Sequence, residues 1–288
     1  MTAPRISFEF FPPQTLDACF RLWETVQALA PAKPNFVSVT YGAGGTTRKL
    51  THEAVSTIGK NYGLNVAAHL TCVDATRAET LEIAESYAAA GVTEIVALRG
   101  DAPKGAERFT AHPEGFASSV ELVEALAKTG KFKIRVGAYP EPHPDAKDRF
   151  ADVTWLKRKI DAGATSAITQ FFFEADTFFR FRDACVKAGI DAPIIPGILP
   201  IISWDGAKKF AARCGTQVPG RLDEAFQTAA RDGREELLSL TQCTTLCTRL
   251  IEGGVQDLHF YTLNRPHLTR EVVRALGINQ DVALEKVA

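Results

Sequence analysis

A repeated two-part rhythm constrains this chain more than any other feature. A short apolar run, a loop and a helical pattern follow one another again and again. The apolar runs are Arg5–Phe11, Asn35–Tyr41, Asn65–Cys72, Glu94–Asp101, Lys133–Pro140, Ser166–Phe173, Pro193–Pro200 and Asp257–Asn264. Most are too continuous in Val, Ile, Ala and Phe to be half-exposed, so they read as strands covered on both faces, as in a parallel sheet. The intervening segments carry helical periodicity. Leu16–Ala30 places Phe20, Trp23, Val26 and Leu29 on one stripe. Thr76–Ala90, with Asp74 as its N-cap, Phe116–Thr129, Asp148–Ala162 and Asp176–Ala188 each stop at a glycine. Ser203–Cys214, Leu222–Arg231, Glu235–Glu252 and Leu268–Leu276 complete the set. Eight β-α units in 288 residues predict an α/β fold, a (β/α)8 TIM barrel with extra helices near the C-terminus. The alternative, a doubly wound sheet, would carry fewer strands and a glycine fingerprint. No linker or low-complexity stretch divides the chain, so residues 1–288 read as a single catalytic domain with no regulatory domain.

Barrel enzymes work at the carboxyl ends of their strands. Polar residues gather at those ends here: Glu9, Thr40 with Tyr41, His69 with Thr71, Arg99 with Asp101, Tyr139 with Glu141 and His143, Gln170, and Asn264 with Arg265. Glu9 stands out. Strand alternation turns it away from Phe8 and Phe10, and Pro12 and Pro13 end the strand just beyond it. A carboxyl group in apolar surroundings gains pKa and becomes a general acid; the bland reading is a capped salt bridge. Tyr41–Thr47 is a glycine-rich loop entering a helix, suited to a phosphate or to nothing more than a capped turn. Lys157, Arg158 and Lys159 form a basic run that reads either as a solvated face or as a phosphate contact.

A net charge of −1 gives no reason to expect nucleic acid. No signal-peptide core and no membrane-length apolar run occurs, which points to a cytoplasmic protein without membrane contact. Six scattered cysteines read as reduced thiols, with Cys243 and Cys247 on one face of a helix. No metal site is expected.

The ordered motifs S-F-E-F-F-P-P, F-V-S-V-T-Y-G-A, A-H-L-T-C, I-V-A-L-R-G-D, A-Y-P-E-x-H-P, L-K-R-K-x-D-A-G-A, A-I-T-Q-F-F-F, I-I-P-G-I-L-P and H-F-Y-T-L-N-R together resemble the methylenetetrahydrofolate reductases, in their bacterial single-domain form, over about residues 6–277. The resemblance implies an FAD-dependent enzyme that reduces 5,10-methylenetetrahydrofolate to 5-methyltetrahydrofolate with NADH or NADPH. It implies ping-pong hydride transfer through flavin N5 and a place in one-carbon metabolism supplying methionine synthesis. It makes Glu9 the proton donor and Asp101 the charge beside flavin and pterin. It gives an FAD shell of Thr40, Tyr41, Ala43, His69, Arg99, Gly100, Asp101, Tyr139, His143, Ala146, Asp152, Arg158 and Lys159. Gln170, Phe210 and Arg265 become substrate contacts, and a homo-oligomer is expected. Phe116, Trp155 and Gly206 depart from the family pattern, at positions where tyrosine, asparagine and glutamine are usual. Two other classes fit the same barrel: a folate-binding methyl or methylene transferase, and a non-catalytic folate-binding subunit.

Overall fold

The computed structural model describes residues 3–41, 47–101, 109–143, 146 and 151–278. Nine parallel strands form one sheet: β1 (Arg5–Phe10), β2 (Phe36–Val39), β3 (Val66–Thr71), β4 (Glu94–Leu98), β5 (Lys133–Ala138), β6 (Ser166–Thr169), β7 (Ile194–Ile195), β8 (Gly197–Ile198) and β9 (Asp257–Tyr261). Their order is β7-β6-β5-β4-β3-β2-β1-β9-β8. Only Pro196 separates β7 from β8, so both ends of the sheet belong to one apolar run and the sheet closes into a barrel. The seventh expected run, Pro193–Pro200, is therefore two short strands. Proline has no N–H for the ladder; the Pro196 carbonyl still accepts the His259 N–H at 3.0 Å.

Helices α1 (Leu16–Leu29), α2 (Arg48–Tyr62), α3 (Arg77–Ala89), α4 (Ser119–Thr129), α5 (Ala151–Asp161), α6 (Ala175–Lys187), α7 (Trp204–Cys214), α8 (Gly220–Arg231), α9 (Glu235–Glu252) and α10 (Pro266–Ala275) surround it. Three local readings change. Asp74 sits at φ 49° in the loop, and Thr76 caps α3 in a reciprocal capping box with Glu79, which satisfies two otherwise orphaned N–H groups. Phe116 precedes α4, whose cap is Ser118. The buried stripe of α1 is Leu22, Thr25, Val26 and Leu29, while Phe20 is 65% exposed, because the i, i+3, i+4, i+7 row starting at Leu22 is the one that meets the barrel.

Strict alternation sorts every strand into two faces. Outward residues such as Phe8, Phe10, Val37, Leu70 and Phe260 join the main core between barrel and helices. Inward residues fill the lumen. Phe36, Ala67, Val96, Ile168 and Ile195 form its apolar layer. At the amino end lies an ionic group: Arg135, 2% exposed, donates from Nε to Glu94 at 2.7 Å and from Nη1 to Ser166 Oγ at 3.0 Å. Asn65 donates to the other Glu94 oxygen at 2.8 Å, and the guanidinium carbon lies 3.8 Å from the Phe36 ring centre. All six cysteines are free thiols. No helix among the described residues is long and apolar enough to cross a membrane.

Candidate active site

The carboxyl ends of the strands assemble a polar mouth. Glu9 is inward on β1, paired in register with Ser38 on one side and Tyr261 on the other. Its Oε2 lies 3.5 Å from His69 Nε2 and 3.9 Å from His259 Nε2. Neither of these buried ring nitrogens has a hydrogen-bond partner. Burial lowers the His69 pKa, with the Glu9 carboxylate opposing and His259 reinforcing the shift. His259 Nδ1 meets Ser7 Oγ at 2.8 Å, and that hydroxyl also reaches the Leu258 carbonyl at 3.2 Å. A serine hydroxyl has one proton to donate, so its choice of acceptor sets the His259 tautomer. One tautomer presents Nε2–H to an ionised Glu9, and the other presents a lone pair to a protonated Glu9. Ser7 thereby decides whether a proton or a lone pair of His259 Nε2 is turned toward Glu9.

Sequence reasoning missed Ser7, His259 and Tyr261. The signal was available in the period-two pairs Ser7/Glu9 and His259/Tyr261, which alternation puts on the lumen face. Tyr261 donates to the Thr169 carbonyl at 2.6 Å, and burial pushes its pKa well up. Gly197 makes room for this bond, since a Cβ there would lie 2.1 Å from the Thr169 carbonyl oxygen and 2.6 Å from the tyrosine ring.

The remaining predicted residues fall into three groups. Around β2 to β4, the Thr40 carbonyl accepts from Thr51 at 3.1 Å and Tyr41 is buried. Arg99 donates to the Gly100 carbonyl at 3.3 Å and lies over Phe109. Gly100 turns at φ 88° against Val73, a conformation costly for any side chain. Asp101 is exposed, and its charge is felt by Tyr139, whose hydroxyl is pushed up to about 12 mainly by burial. Ala43 lies outside the described residues.

Around β5 and α5, Tyr139 meets His143 edge-on at 4.6 Å. The His143 N–H donates to Asp152 at 3.0 Å, and the Ala146 N–H to the His143 carbonyl at 2.7 Å. The basic run splits three ways. Lys157 pairs with Asp161 on the surface. Arg158 lies 4.3 Å over the Trp155 ring. Lys159 is buried against the Gly137 carbonyl, and burial brings its pKa down to about 8 despite Asp152. The solvated-face reading therefore holds for Lys157 and Arg158 and fails for the buried Lys159.

Around β6 to β9, the Gln170 N–H extends the sheet by donating to the Ala138 carbonyl, while its side-chain oxygen accepts the Phe171 N–H at 3.0 Å. Phe210 on α7 stacks on Phe171 at 5.0 Å. Arg265 caps α10 at the edge of a cleft. Of the departures from the family pattern, Phe116 is buried under Arg77, Trp155 is half-exposed, and Gly206 receives the Ser203 cap in the first turn of α7. No cluster of three His, Cys, Asp or Glu that could hold a metal occurs among the described residues.

The chain that builds this barrel mouth has relatives. The family model for methylenetetrahydrofolate reductase matches residues 2–277. The chain belongs to that family. It is 44% identical to the 5,10-methylenetetrahydrofolate reductase of Pectobacterium carotovorum, over 96% of this chain and 92% of that one. It is 45% identical to the protein of the same name from Escherichia coli, over 95% of this chain and 90% of that one. A solved structure of an uncharacterized protein from Clostridium thermocellum, described as binding two copies of 5-methyl-5,6,7,8-tetrahydrofolic acid, superposes with a TM-score of 0.61 at 14% identity, covering 96% of this chain and 95% of that one. At that identity the likeness is one of fold.

Proposed function

We propose that this protein reduces 5,10-methylenetetrahydrofolate to 5-methyltetrahydrofolate with electrons from NAD(P)H and FAD as bound cofactor. Family membership carries the reading, and the setting of Glu9 between two unpartnered imidazoles supports it. The net reaction adds a hydride and a proton to the substrate and leaves NAD(P)+.

The donor set fits FAD. Arg99, Arg158 and Lys159 are cations of the kind that bind a diphosphate, and a nearby anion would restore the charge that burial weakens on Lys159. Thr71 Oγ1, at the end of β3, is buried without a partner and free to bond a heteroaromatic edge. FAD, when bound, supplies the two-electron carrier that the side chains lack. The chain's own residues do the rest. Glu9 gives its proton to N10 of the substrate, so that the five-membered ring opens to a 5-iminium cation. The exposed Asp101 carboxylate at the mouth stabilises that cation. The Gln170 amide and the Phe210 ring orient the nicotinamide and pterin in turn.

The absorption spectrum of the purified protein tests the reading. It is expected to show flavin bands that bleach on anaerobic addition of NADH and return on addition of the folate. A colourless protein that binds folate would favour the transferase instead. Asp101→Asn tests the charge assignment: the flavin midpoint potential, read by spectroelectrochemistry, is expected to rise, and folate reduction to slow. An unchanged potential would put Asp101 away from the flavin ring.

A further inference from the structure

The chain just past α7 is tied to the strand ends at the mouth. Thr216 Oγ1 donates to the Phe171 carbonyl beyond β6 at 3.2 Å, and the Gln217 N–H donates to Glu141 beyond β5 at 3.1 Å. Burial raises the Cys214 thiol to about 11, Arg213 opposes that shift and Asp101 adds to it. The last turn of α7 and the Asp101 carboxylate therefore share one electrostatic neighbourhood. Arg213 stands in that turn. Its guanidinium carbon lies over the Phe210 ring, 5.3 Å from its centre, and Phe210 in turn stacks on the buried Phe171 at 5.0 Å. Among the described residues the exposed Arg213 side chain has no hydrogen-bond or ion-pair partner. An exposed cation–π contact is weak beside a charge-assisted hydrogen bond to phosphate. Arg213 is a cation parked on an aromatic ring at the mouth, free to turn to an anion whose own ring takes its place on Phe210.

The reading above brings two diphosphates to one mouth. Arg99, Arg158 and Lys159 serve that of FAD, while the diphosphate of NAD(P)H is left without a cation. The rim it must cross carries the Asp101 and Glu141 carboxylates, which repel it. We infer that Arg213 grips the NAD(P)H diphosphate while the nicotinamide lies against Phe210, which makes Arg213 a binding residue for the electron donor; the inference rests on the reductase reading. Residues three apart are neighbours on a helix surface, and a single ribose separates the nicotinamide ring from the first phosphate. A guanidinium displaced from the ring thus meets the phosphate joined to the ring that displaced it. Its fork of N–H donors matches two phosphate oxygens at once.

The test follows bleaching of the flavin-loaded protein by anaerobic stopped flow. Arg213→Met keeps a long side chain beside Phe210 and removes the charge. The NADH concentration that gives the half-maximal rate is expected to rise about tenfold, the scale of one charge-assisted contact. The limiting rate should change little, as when binding alone is lost. Reduced nicotinamide riboside, which has the ring and no phosphate, should bleach wild type and variant alike, and the folate half-reaction should keep its concentration dependence. Arg213→Lys should recover part of the loss. Equal weakening of NADH and the riboside would trace the effect to packing on Phe210 and overturn the diphosphate contact. Weakening of the folate half-reaction instead would give the cation to the folate carboxylates, and no weakening at all would leave it without a ligand; both overturn the inference while the reductase reading stands. Flavin-loaded wild-type protein that NADH fails to bleach overturns the reductase reading and the diphosphate contact with it.

Discussion

Glu9→Gln is expected to lower the rate of methylenetetrahydrofolate reduction by at least about 100-fold, the usual scale of a general acid. Flavin binding and bleaching by NADH should persist, since neither needs a proton from this position. Glutamine matches the carboxyl group in shape and sits equally well between His69 and His259. It has no acidic proton to give at neutral pH, so the comparison isolates the proton from the packing. Stopped-flow measurement of the two half-reactions separates the steps. Folate turnover near the wild-type rate would remove Glu9 from the role of acid.

The second large effect concerns stability at the opposite end of the barrel. Glu94→Ala strips the carboxylate from the buried Arg135 and leaves its charge uncompensated, which costs roughly 3–5 kcal/mol. For a chain of this size that corresponds to a fall in Tm of roughly 10 °C. The double substitution Glu94→Leu with Arg135→Met removes both charges and should recover most of the loss, because much of what a buried pair gains in attraction it spends on desolvation. Differential scanning calorimetry reads both variants. A double variant as unstable as the single would mean that packing around Phe36, rather than the unpaired charge, sets the cost.

Most of this fold was legible because a parallel barrel writes itself into sequence as unbroken apolar runs between helices, and because glycine marks many helix ends. The helix Glu235–Glu252 emerges with the bounds the periodicity gives. Helix starts were harder. Asp74 and Thr76 are both acceptable caps by residue type, and only the return bond from Glu79 decides between them. The lumen was the least legible region. Glu9 drew notice because a charge among phenylalanines is costly. Ser7 and His259 did not, because a serine and a histidine in mid-strand look unremarkable until the pairing of β1 with β9 sets them side by side.

Phe36 separates two electrical worlds inside one tube. Its ring stacks on His259 at 5.5 Å and lies against the Arg135 guanidinium. With Ala67, Val96, Ile168 and Ile195 it forms an apolar bulkhead across the lumen. In the proposed reaction that layer leaves the mouth as the route for the Glu9 proton, so an acid covered by its ligand would have one proton to spend and would be recharged after product departs.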